Sequence, residues 1–437
     1  MNRVLFVTLG CAKNEVDTDR MRALLVAAGF SETESVGEAD VIIVNTCSFL
    51  ASATSESIET TLELAEAVAE GIRALPIIMC GCVPSRYGDE LVPELPEVAA
   101  FVRADEEDDI VSVVREVLSV DGRSSSTHGA LRTVEGSSAY IKISDGCNRF
   151  CSFCAIPFIR GRYYSRPYEE IAEEVRTLAA GGVREFVLIG QDTGIWGKDL
   201  EEPRTLAWLL RKVAKLVRNV DGWVRVLYLQ PEGMTDELIS TIRDTPEVLP
   251  YIDIPIQHCS ERLLKAMNRS GSADQLRSLF DRLRAEIPGM VLRTTGMAGF
   301  PGETDEEADE LYDFIAEQEF DYISVFSFSP EEGTRAARMD GQVDEDVKLE
   351  RTQRLIDLTE QLGFVATAKH VGERVKVIID GVEESDGGLE LIGHTWFQAP
   401  DSDGAVHIAS GEAAVGDIVT CDLVDSFCYE LIGEIVR

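Results

Sequence analysis

A short run of cysteines constrains this chain more than any other feature of its sequence. Residues 147–154 read Cys-Asn-Arg-Phe-Cys-Ser-Phe-Cys, which places thiols at Cys147, Cys151 and Cys154 with the spacing C-x3-C-x2-C. Such a loop can give three thiolates to the irons of a cubane cluster and leave the fourth iron open for chemistry. Zinc sites are usually closed by paired C-x2-C hooks, and no second hook follows nearby. The run therefore predicts a catalytic iron–sulfur centre, with a cysteine-rich structural loop as the alternative.

Charge limits the partners that the chain can bind. Its 437 residues carry 78 acidic and 41 basic side chains, a formal net charge of −37. A field of that sign repels polyanions, so nucleic acid is disfavoured as the main substrate and a basic protein is favoured. Solubility, or life at high salt, is the alternative explanation of the charge.

The sequence predicts a cytoplasmic location. No stretch of 18 apolar residues occurs, so no membrane span is expected. The first ten residues resemble a strand rather than an export signal. Ten cysteines without such a signal are typical of a reducing compartment, where thiols bind metal or stay free.

The chain is too long for one ordinary domain, and the pattern of its elements divides it into three α/β and β regions. Residues 1–120 alternate strands and helices and predict a parallel sheet covered on both faces. A polar linker is expected at 121–129. Residues 133–369 hold six strand–helix units, which predict a partial (β/α)6 barrel with an open side for a macromolecular substrate. Residues 370–437 hold five short strands and predict a small OB-like β-barrel.

These predictions have explicit bounds. In the first region, strands are expected at 3–9, 40–45, 75–79 and 99–103, and helices at 15–28, 51–70 and 106–118. In the second region, strands are expected at 139–144, 185–190, 223–230, 251–257, 291–296 and 322–329. In the third region, they are expected at 374–380, 389–394, 405–408, 417–422 and 429–435.

A second set of cysteines is spread over the first region. Cys11, Cys47 and Cys82 are 36 and 35 residues apart, and each follows a predicted strand. The carboxyl ends of parallel strands lie along one edge of a sheet, so we expect these three thiols to meet there. Cys80 is set aside because Gly81 supplies a turn before Cys82. Scattered buried cysteines are the alternative, and the remaining cysteines are expected to be structural.

The C-x3-C-x2-C loop resembles that of the radical S-adenosylmethionine (SAM) superfamily. The whole chain is similar to one of its families, the methylthiotransferases, which combine a cysteine-bearing N-terminal domain, a radical-SAM barrel and a small β module of the TRAM type. The matching segments are Leu9-Gly-Cys11, Asn45-Thr-Cys47, Gly81-Cys82, Gly146-Cys-Asn-Arg-Phe-Cys-Ser-Phe-Cys-Ala-Ile-Pro157 and Gly299-Phe-Pro-Gly-Glu-Thr304.

The resemblance implies cofactors and their ligands. Cys147, Cys151 and Cys154 are expected to hold the radical-SAM [4Fe-4S] cluster. Cys11, Cys47 and Cys82 are expected to hold an auxiliary [4Fe-4S] cluster that delivers the sulfur. SAM is expected to serve both as the methyl donor and as the source of a 5′-deoxyadenosyl radical, with an electron donor as a further partner. No catalytic residue is assigned beyond these ligands.

Four other side chains are candidate SAM contacts. By the same analogy Phe153 lies near the adenine, with a packing role as the alternative. Gln191 and Gln257 occupy predicted strand ends of the barrel, where Gln191 could instead cap a loop. Arg293 could pair with the SAM carboxylate, and a structural salt bridge is the alternative.

Further segments favour one branch of the family. The segments 190–193, 228–232, 253–258 and 399–404 are similar to the RimO-type branch, which methylthiolates the β-carbon of an aspartate in small-subunit ribosomal protein twelve. Residues 371–437 carry 14 acidic and three basic side chains, a net charge of −11 that suits a lysine-rich ribosomal protein. The segment 391–396 departs from the branch's usual arginine- and tyrosine-rich version. The alternatives are a methylthiotransferase for tRNA adenosine and a noncatalytic iron–sulfur scaffold.

Overall fold

The structure, a computed structural model, describes residues 2–70, 75–120, 132, 136–385 and 388–436. The predicted linker at 121–129 lies outside the described residues. No helix in the described ranges is long and apolar enough to cross a membrane.

The N-terminal region is a five-stranded sheet in which every described pair of neighbours is parallel, in the order β2-β1-β3-β4-β5. Apolar side chains of α1 and α5 cover one face, and those of α2 cover the other. The predicted parallel α/β domain is thereby confirmed. Its elements are β1 (Arg3–Thr8), α1 (Ala12–Ala27), β2 (Ser31–Glu32), β3 (Val41–Thr46), α2 (Ala51–Glu70), β4 (Ile77–Gly81), α3 (Cys82–Tyr87), α4 (Leu91–Glu94), β5 (Val98–Arg103) and α5 (Ile110–Leu118).

The central region is the predicted partial barrel. Its elements are β6 (Ser138–Lys142), β7 (Ser144–Asp145), α6 (Ile156–Ile159), β8 (Tyr164–Ser165), α7 (Tyr168–Gly181), β9 (Glu185–Ile189), α8 (Leu206–Val217), β10 (Trp223–Val226), α9 (Asp236–Asp244), β11 (Tyr251–Asp253), α10 (Glu261–Ala266), α11 (Ala273–Glu286), β12 (Val291–Ala298), α12 (Asp305–Gln318), β13 (Tyr322–Ser327) and α13 (Glu345–Ala368). The parallel strands form two groups, β6-β9-β10 and β11-β12-β13. A bridge between Val224 and Val248 joins the groups. No pairing of β6 with β13 occurs among the described residues, so the barrel is open between them.

Two barrel strands are shorter than predicted. The strands expected at 223–230 and 251–257 end at Val226 and Asp253. Beyond those points Tyr228 and Gln257 have φ angles of 61° and 67°, which an extended strand does not allow. The Tyr228 amide also donates to the Asp253 carboxylate at 3.0 Å, so side-chain bonding replaces the ladder there. Both strands therefore give way to loops at the carboxyl edge of the barrel.

The C-terminal region is a closed five-stranded barrel in the order β14-β15-β16-β18-β17, with only the β16–β18 pair parallel. Its strands are β14 (Arg374–Ser385), β15 (Gly388–Thr395), β16 (Val406–Ser410), β17 (Ile418–Ser426) and β18 (Leu431–Ile435). The predicted small β-barrel is confirmed. Buried side chains of this module form one apolar cluster with Tyr251, Val291 and Tyr322 of the central barrel.

A buried ion cluster fixes the C-terminal module to the central barrel. Glu185 on β9 pairs with Arg225 at 2.8 Å and with His394 on β15, and His394 pairs in turn with Asp380 at 2.6 Å. Burial opposes a charge on His394, but the two carboxylates outweigh it and raise its pKa to about 9. The imidazole is therefore charged at neutral pH and belongs to the interface.

Candidate functional site

The cysteine loop at 147–154 is held by close packing against the turn at 161–162 and by hydrogen bonds to residues 267–268 and 336. Gly146 begins it with φ 71°, and a Cβ there would lie 2.3 Å from the Arg162 carbonyl oxygen, so glycine is required. Ser152 donates its amide to the Met267 carbonyl at 2.9 Å and accepts from the Ala336 amide at 2.7 Å. The Asn268 side chain donates to the Arg149 carbonyl at 2.9 Å. These contacts fix the backbone of the loop that carries the three thiols.

Burial disfavours the charged form of all three thiols of this loop. It raises the pKa of Cys147, Cys151 and Cys154, the last to about 12. A bound cation supplies the charge that makes such thiols good ligands. Among the described residues, no three Cys, His, Asp or Glu side chains lie close enough to share a single metal ion. A cubane makes a different demand, because each of its irons takes one thiolate.

A cavity of about 560 Å³ borders two of these cysteines, which is the size of a small-molecule site. It combines apolar walls with arginine and hydroxyl groups. Its lining includes Phe150, Cys151, Cys154, Phe158, Arg335 and Met339. A larger cavity of about 750 Å³ lies at the junction of the three regions and touches none of the cysteines. The smaller one is the candidate for a cofactor because it adjoins the thiols.

The structure places the four candidate SAM contacts differently. Phe153 is half-buried and packs on an apolar cluster that includes Phe300. Gln191 donates to the Asp145 carboxylate at 2.9 Å, and its buried side-chain oxygen has no hydrogen-bond partner among the described residues. Gln257 lies in the left-handed turn where its strand gives way to a loop. The SAM roles of these three residues stay predictions.

Arg293 is engaged elsewhere. Its guanidinium pairs with Asp253 at 3.3 Å and with Asp403 at 3.0 Å, and donates to the Ser324 hydroxyl at 2.9 Å. Asp403 belongs to the C-terminal module, so the arginine joins two domains. This arrangement favours the structural salt bridge over a contact with the SAM carboxylate.

The second cysteine set meets at one edge of the N-terminal sheet, around the side chain of Asn14. Its Oδ1 lies 3.9 Å from the sulfur of Cys11 and 3.9 Å from that of Cys82. Its Nδ2 donates to the Leu9 carbonyl at 2.9 Å and to the Thr46 carbonyl at 2.8 Å, so it ties together two of the cysteine-bearing loops.

Cys47 also lies at this edge of the sheet. A Cβ on Gly10 would lie 3.1 Å from the Cys47 sulfur, which puts Cys47 against the loop that carries Cys11. Burial raises the pKa of Cys47, and it raises that of Cys82 to about 11. The side chain of Cys80 packs in the apolar core on one face of the sheet. The thiols of Cys11, Cys47 and Cys82 therefore offer a donor set of the same kind as the 147–154 loop.

The two cysteine sets adjoin across the domain interface. Cys82 packs on Ala155 and Ile159, just beyond the last cysteine of the 147–154 loop. Arg160 follows, and its guanidinium donates to the Asn14 Oδ1 at 2.9 Å and to Asp17 at 2.7 Å. Sequence reasoning missed Asn14 and Arg160. The available signal was the position of Asn14, three residues after Cys11.

Three family models match the chain. They are the radical SAM superfamily over residues 141–315, the uncharacterized protein family UPF0004 over residues 3–103, and the TRAM domain over residues 371–436.

Solved structures show the fold. A radical SAM methyltransferase, TsrM from Kitasatospora setae, matches with a TM-score of 0.58 at 14% identity and covers 89% of this chain and 78% of that one. The cobalamin-dependent radical enzyme OxsB matches with a TM-score of 0.52 at 12% identity, over 82% of this chain and 56% of that one.

Curated relatives are similar over nearly their whole length. The ribosomal protein uS12 methylthiotransferase RimO of Geobacter sulfurreducens is 43% identical over 446 residues, which is 99% of this chain and 98% of the relative. The protein of the same name from Bdellovibrio bacteriovorus is 37% identical and covers 99% and 97%. Radical SAM enzymes work with SAM and a [4Fe-4S] cluster, which fits the thiols of the 147–154 loop. The chain belongs to the radical-SAM methylthiotransferase family, in the RimO group.

Proposed function

We propose that this enzyme adds a methylthio group to the β-carbon of an aspartate in ribosomal protein uS12. The observation that carries the proposal is the proximity of the two cysteine sets, since Cys82 packs on Ala155, the residue after Cys154. A sulfur-donating centre has to lie next to the place where the substrate radical forms. The name of the relatives at 37–43% identity supports the substrate.

We propose two [4Fe-4S] clusters, one on each cysteine set. When bound, the clusters and SAM supply the radical, the sulfur and the methyl group. The chain's own contribution is placement and exclusion of water. Asn14 holds the loops of the second set together through its bonds to Leu9 and Thr46, and Arg160 links Asn14 to the barrel. The β-carbon of an aspartate has no strongly acidic hydrogen, which is why radical chemistry suits the reaction.

The partners follow from charge. The C-terminal module, with its net charge of −11, suits a basic ribosomal protein and disfavours tRNA. Glu383 and Glu384 on β14 are exposed and belong to this acidic surface. An electron donor is a further partner. Since ribosomal proteins are made and assembled in the cytoplasm, the reaction is placed there.

We also propose that the chain is divided into three domains, at 1–120, 133–369 and 370–437. The separate sheets and the separate family matches over residues 3–103, 141–315 and 371–436 support it.

Mass analysis of a strain that lacks the gene tests the proposal. Ribosomal protein uS12 from the parent strain should carry a methylthio group on one aspartate, identified by tandem mass spectrometry, and the protein from the deletion strain should lack it. The tRNA of both strains is analysed in parallel. Loss of a methylthio group from tRNA adenosine, with uS12 unmodified in both strains, would reject the assignment. No change in either molecule would favour a noncatalytic scaffold.

A further inference from the structure

Lys13 is a largely buried residue whose ammonium pairs with no carboxylate among the described residues. The residue is only 9% exposed, and no ion pair to it occurs among the described residues. It lies in the first turn of α1, two residues after Cys11. Its ammonium Nζ stands 3.4 Å from the centre of the Tyr228 ring, so the side chain reaches across from the N-terminal domain to the central barrel.

Tyr228 is firmly held at the carboxyl edge of that barrel. Its amide donates to Asp253 at 3.0 Å, and its carbonyl accepts from the Thr193 amide at 3.2 Å. Thr193 belongs to the loop that also carries Gln191. The lysine therefore stands at the edge where parallel strands bind their ligands, on the side that faces the Cys11 loop.

The aromatic ring does not replace a carboxylate partner. Attraction between an ammonium and a ring face is weaker than a hydrogen bond between an ammonium and a carboxylate. An ammonium also has three donors, and a ring face uses only one side of it. Most other buried cations near this interface, such as Arg160 and Lys142, already pair with carboxylates. The ammonium of Lys13 therefore has donors that could bind an anionic group.

We propose that Lys13 binds the carboxylate of the target aspartate and makes the enzyme select aspartate over its neutral amide. This inference rests on the proposed function. The carboxylate is attached to the carbon that receives sulfur, so its binding site should lie close to the cluster that delivers the sulfur, and Lys13 follows the expected cluster ligand Cys11 by two residues. The SAM molecule carries the other carboxylate in the reaction, but its expected place is at the 147–154 loop.

The test uses the full anaerobic enzyme with its clusters and SAM but without reductant, so that binding is measured and no turnover occurs. The probes are purified uS12 and a uS12 variant with asparagine at the target position. The variants are Lys13→Met, Lys13→Gln and Lys13→Arg. Lys212→Met is the matched control because Lys212 also lies over an aromatic ring, that of Trp208 at 5.1 Å, on the outer helix α8.

We expect wild type to bind the aspartate form about tenfold or more tighter than the asparagine form, as is typical of a hydrogen bond between charged groups. Lys13→Met and Lys13→Gln should bring this ratio close to one, Lys13→Arg should restore part of it, and Lys212→Met should leave it unchanged. SAM affinity and iron content should stay at wild-type levels in all four variants.

Three results would overturn the inference. The ratio could stay unchanged in both neutral variants. SAM binding could fall instead of the ratio, which would assign the lysine to the SAM carboxylate. Iron could be lost while the remaining loaded enzyme keeps its preference for aspartate, which would make the lysine a support of the cysteine loop. Failure of the proposed function looks different, since wild-type enzyme would then leave uS12 unmodified in a full reaction.

Discussion

A buried group of five ionisable side chains joins the N-terminal domain to the central barrel beside the cysteines. Its cations are Lys142 and Arg160, and its acids are Asp17, Asp145 and Glu107. Burial opposes a charge on Asp17, but the two cations outweigh it and hold its pKa well below the usual range. Burial and the neighbouring Asp17 charge raise the pKa of Glu107 well above its usual range. Asp17 and Asp145 therefore balance the two cations, and Glu107 is the acid of this group that keeps its proton to the highest pH.

The same chemical change at two of these acids should have opposite consequences. Asp17→Asn removes a charge and leaves two buried cations facing one carboxylate, which should cost roughly 3–5 kcal/mol. Glu107→Gln removes a carboxyl whose ionisation is opposed by burial and by Asp17, and leaves a neutral amide, so it should cost less than about 1 kcal/mol. Asp17 lies on α1, six residues after Cys11, so the loss should be felt at the second cysteine set.

Amide hydrogen exchange of α1, followed by mass spectrometry, measures this local stability. At about 1.4 kcal/mol per tenfold change, Asp17→Asn should lower the protection of α1 by roughly two to four orders of magnitude, and Glu107→Gln by less than about tenfold. Because folding raises the pKa of Glu107, this group stabilises the folded protein fully below pH 4.5, and the stabilisation is lost as pH rises through the pKa of Glu107 in the folded protein. Glu107→Gln should abolish this pH dependence. Equal loss of protection in the two variants at neutral pH would refute the charge assignment.

Four further predictions test the site and its domains. Alanine at all three cysteines of the 147–154 loop should leave about four of about eight irons in the anaerobic protein, because each cubane holds four; loss of all iron would contradict two separate sites. Cys47→Ala should abolish the methylthio product yet still release 5′-deoxyadenosine from SAM, and absence of that cleavage with the first cluster intact would contradict the division of roles. The His394 ion pairs should stabilise the C-terminal module below pH 6.5 and lose that effect as pH rises through about 9, so a His394→Gln variant should show a flatter dependence of thermal midpoint on pH over that range. Lysine at Glu383 and Glu384 should weaken binding of uS12, most at low salt, without changing SAM cleavage, whereas equal weakening at every salt concentration would argue against charge steering.

The spacing of the cysteines predicted more of the site than any other feature. Cys11, Cys47 and Cys82 could be placed together because parallel strands end at a common edge, and this rule does not depend on details of side-chain packing. The choice of Cys82 over Cys80 followed from the turn at Gly81. Its φ is 91°, and a Cβ added there would lie 2.2 Å from the side-chain oxygen of Asn45. The pattern of apolar residues along the chain also predicted the three-part architecture, because the burial of sheet and helix faces leaves a regular repeat in the sequence.

The side chains around the cysteines were not predicted. Arg160 bonds to Asn14, 146 residues away, and Lys13 stands on Tyr228 in another domain. Such contacts depend on how two finished domains dock, which no local pattern records. Arg293 shows the same limit. The sequence left open a pairing with the SAM carboxylate or with a carboxylate of the protein, and only the fold shows that Asp253 and Asp403 are its neighbours.

Buried ion pairs occur at several of the joints between the three regions, and this has a consequence for the mechanism. Arg160 and Asp17 join the N-terminal domain to the barrel, as do Arg86 and Glu331 at 3.1 Å. Ion pairs of this kind add little net stability compared with apolar packing, but they tolerate few alternative dockings because a displaced charge is left unpaired. Apolar surfaces alone would let the domains slide by a fraction of a side chain at little cost. A sulfur donor on one domain and a radical source on another require a fixed separation, since small misplacements slow such steps steeply. We therefore expect these ion pairs to fix the register of the domains more than to stabilise them.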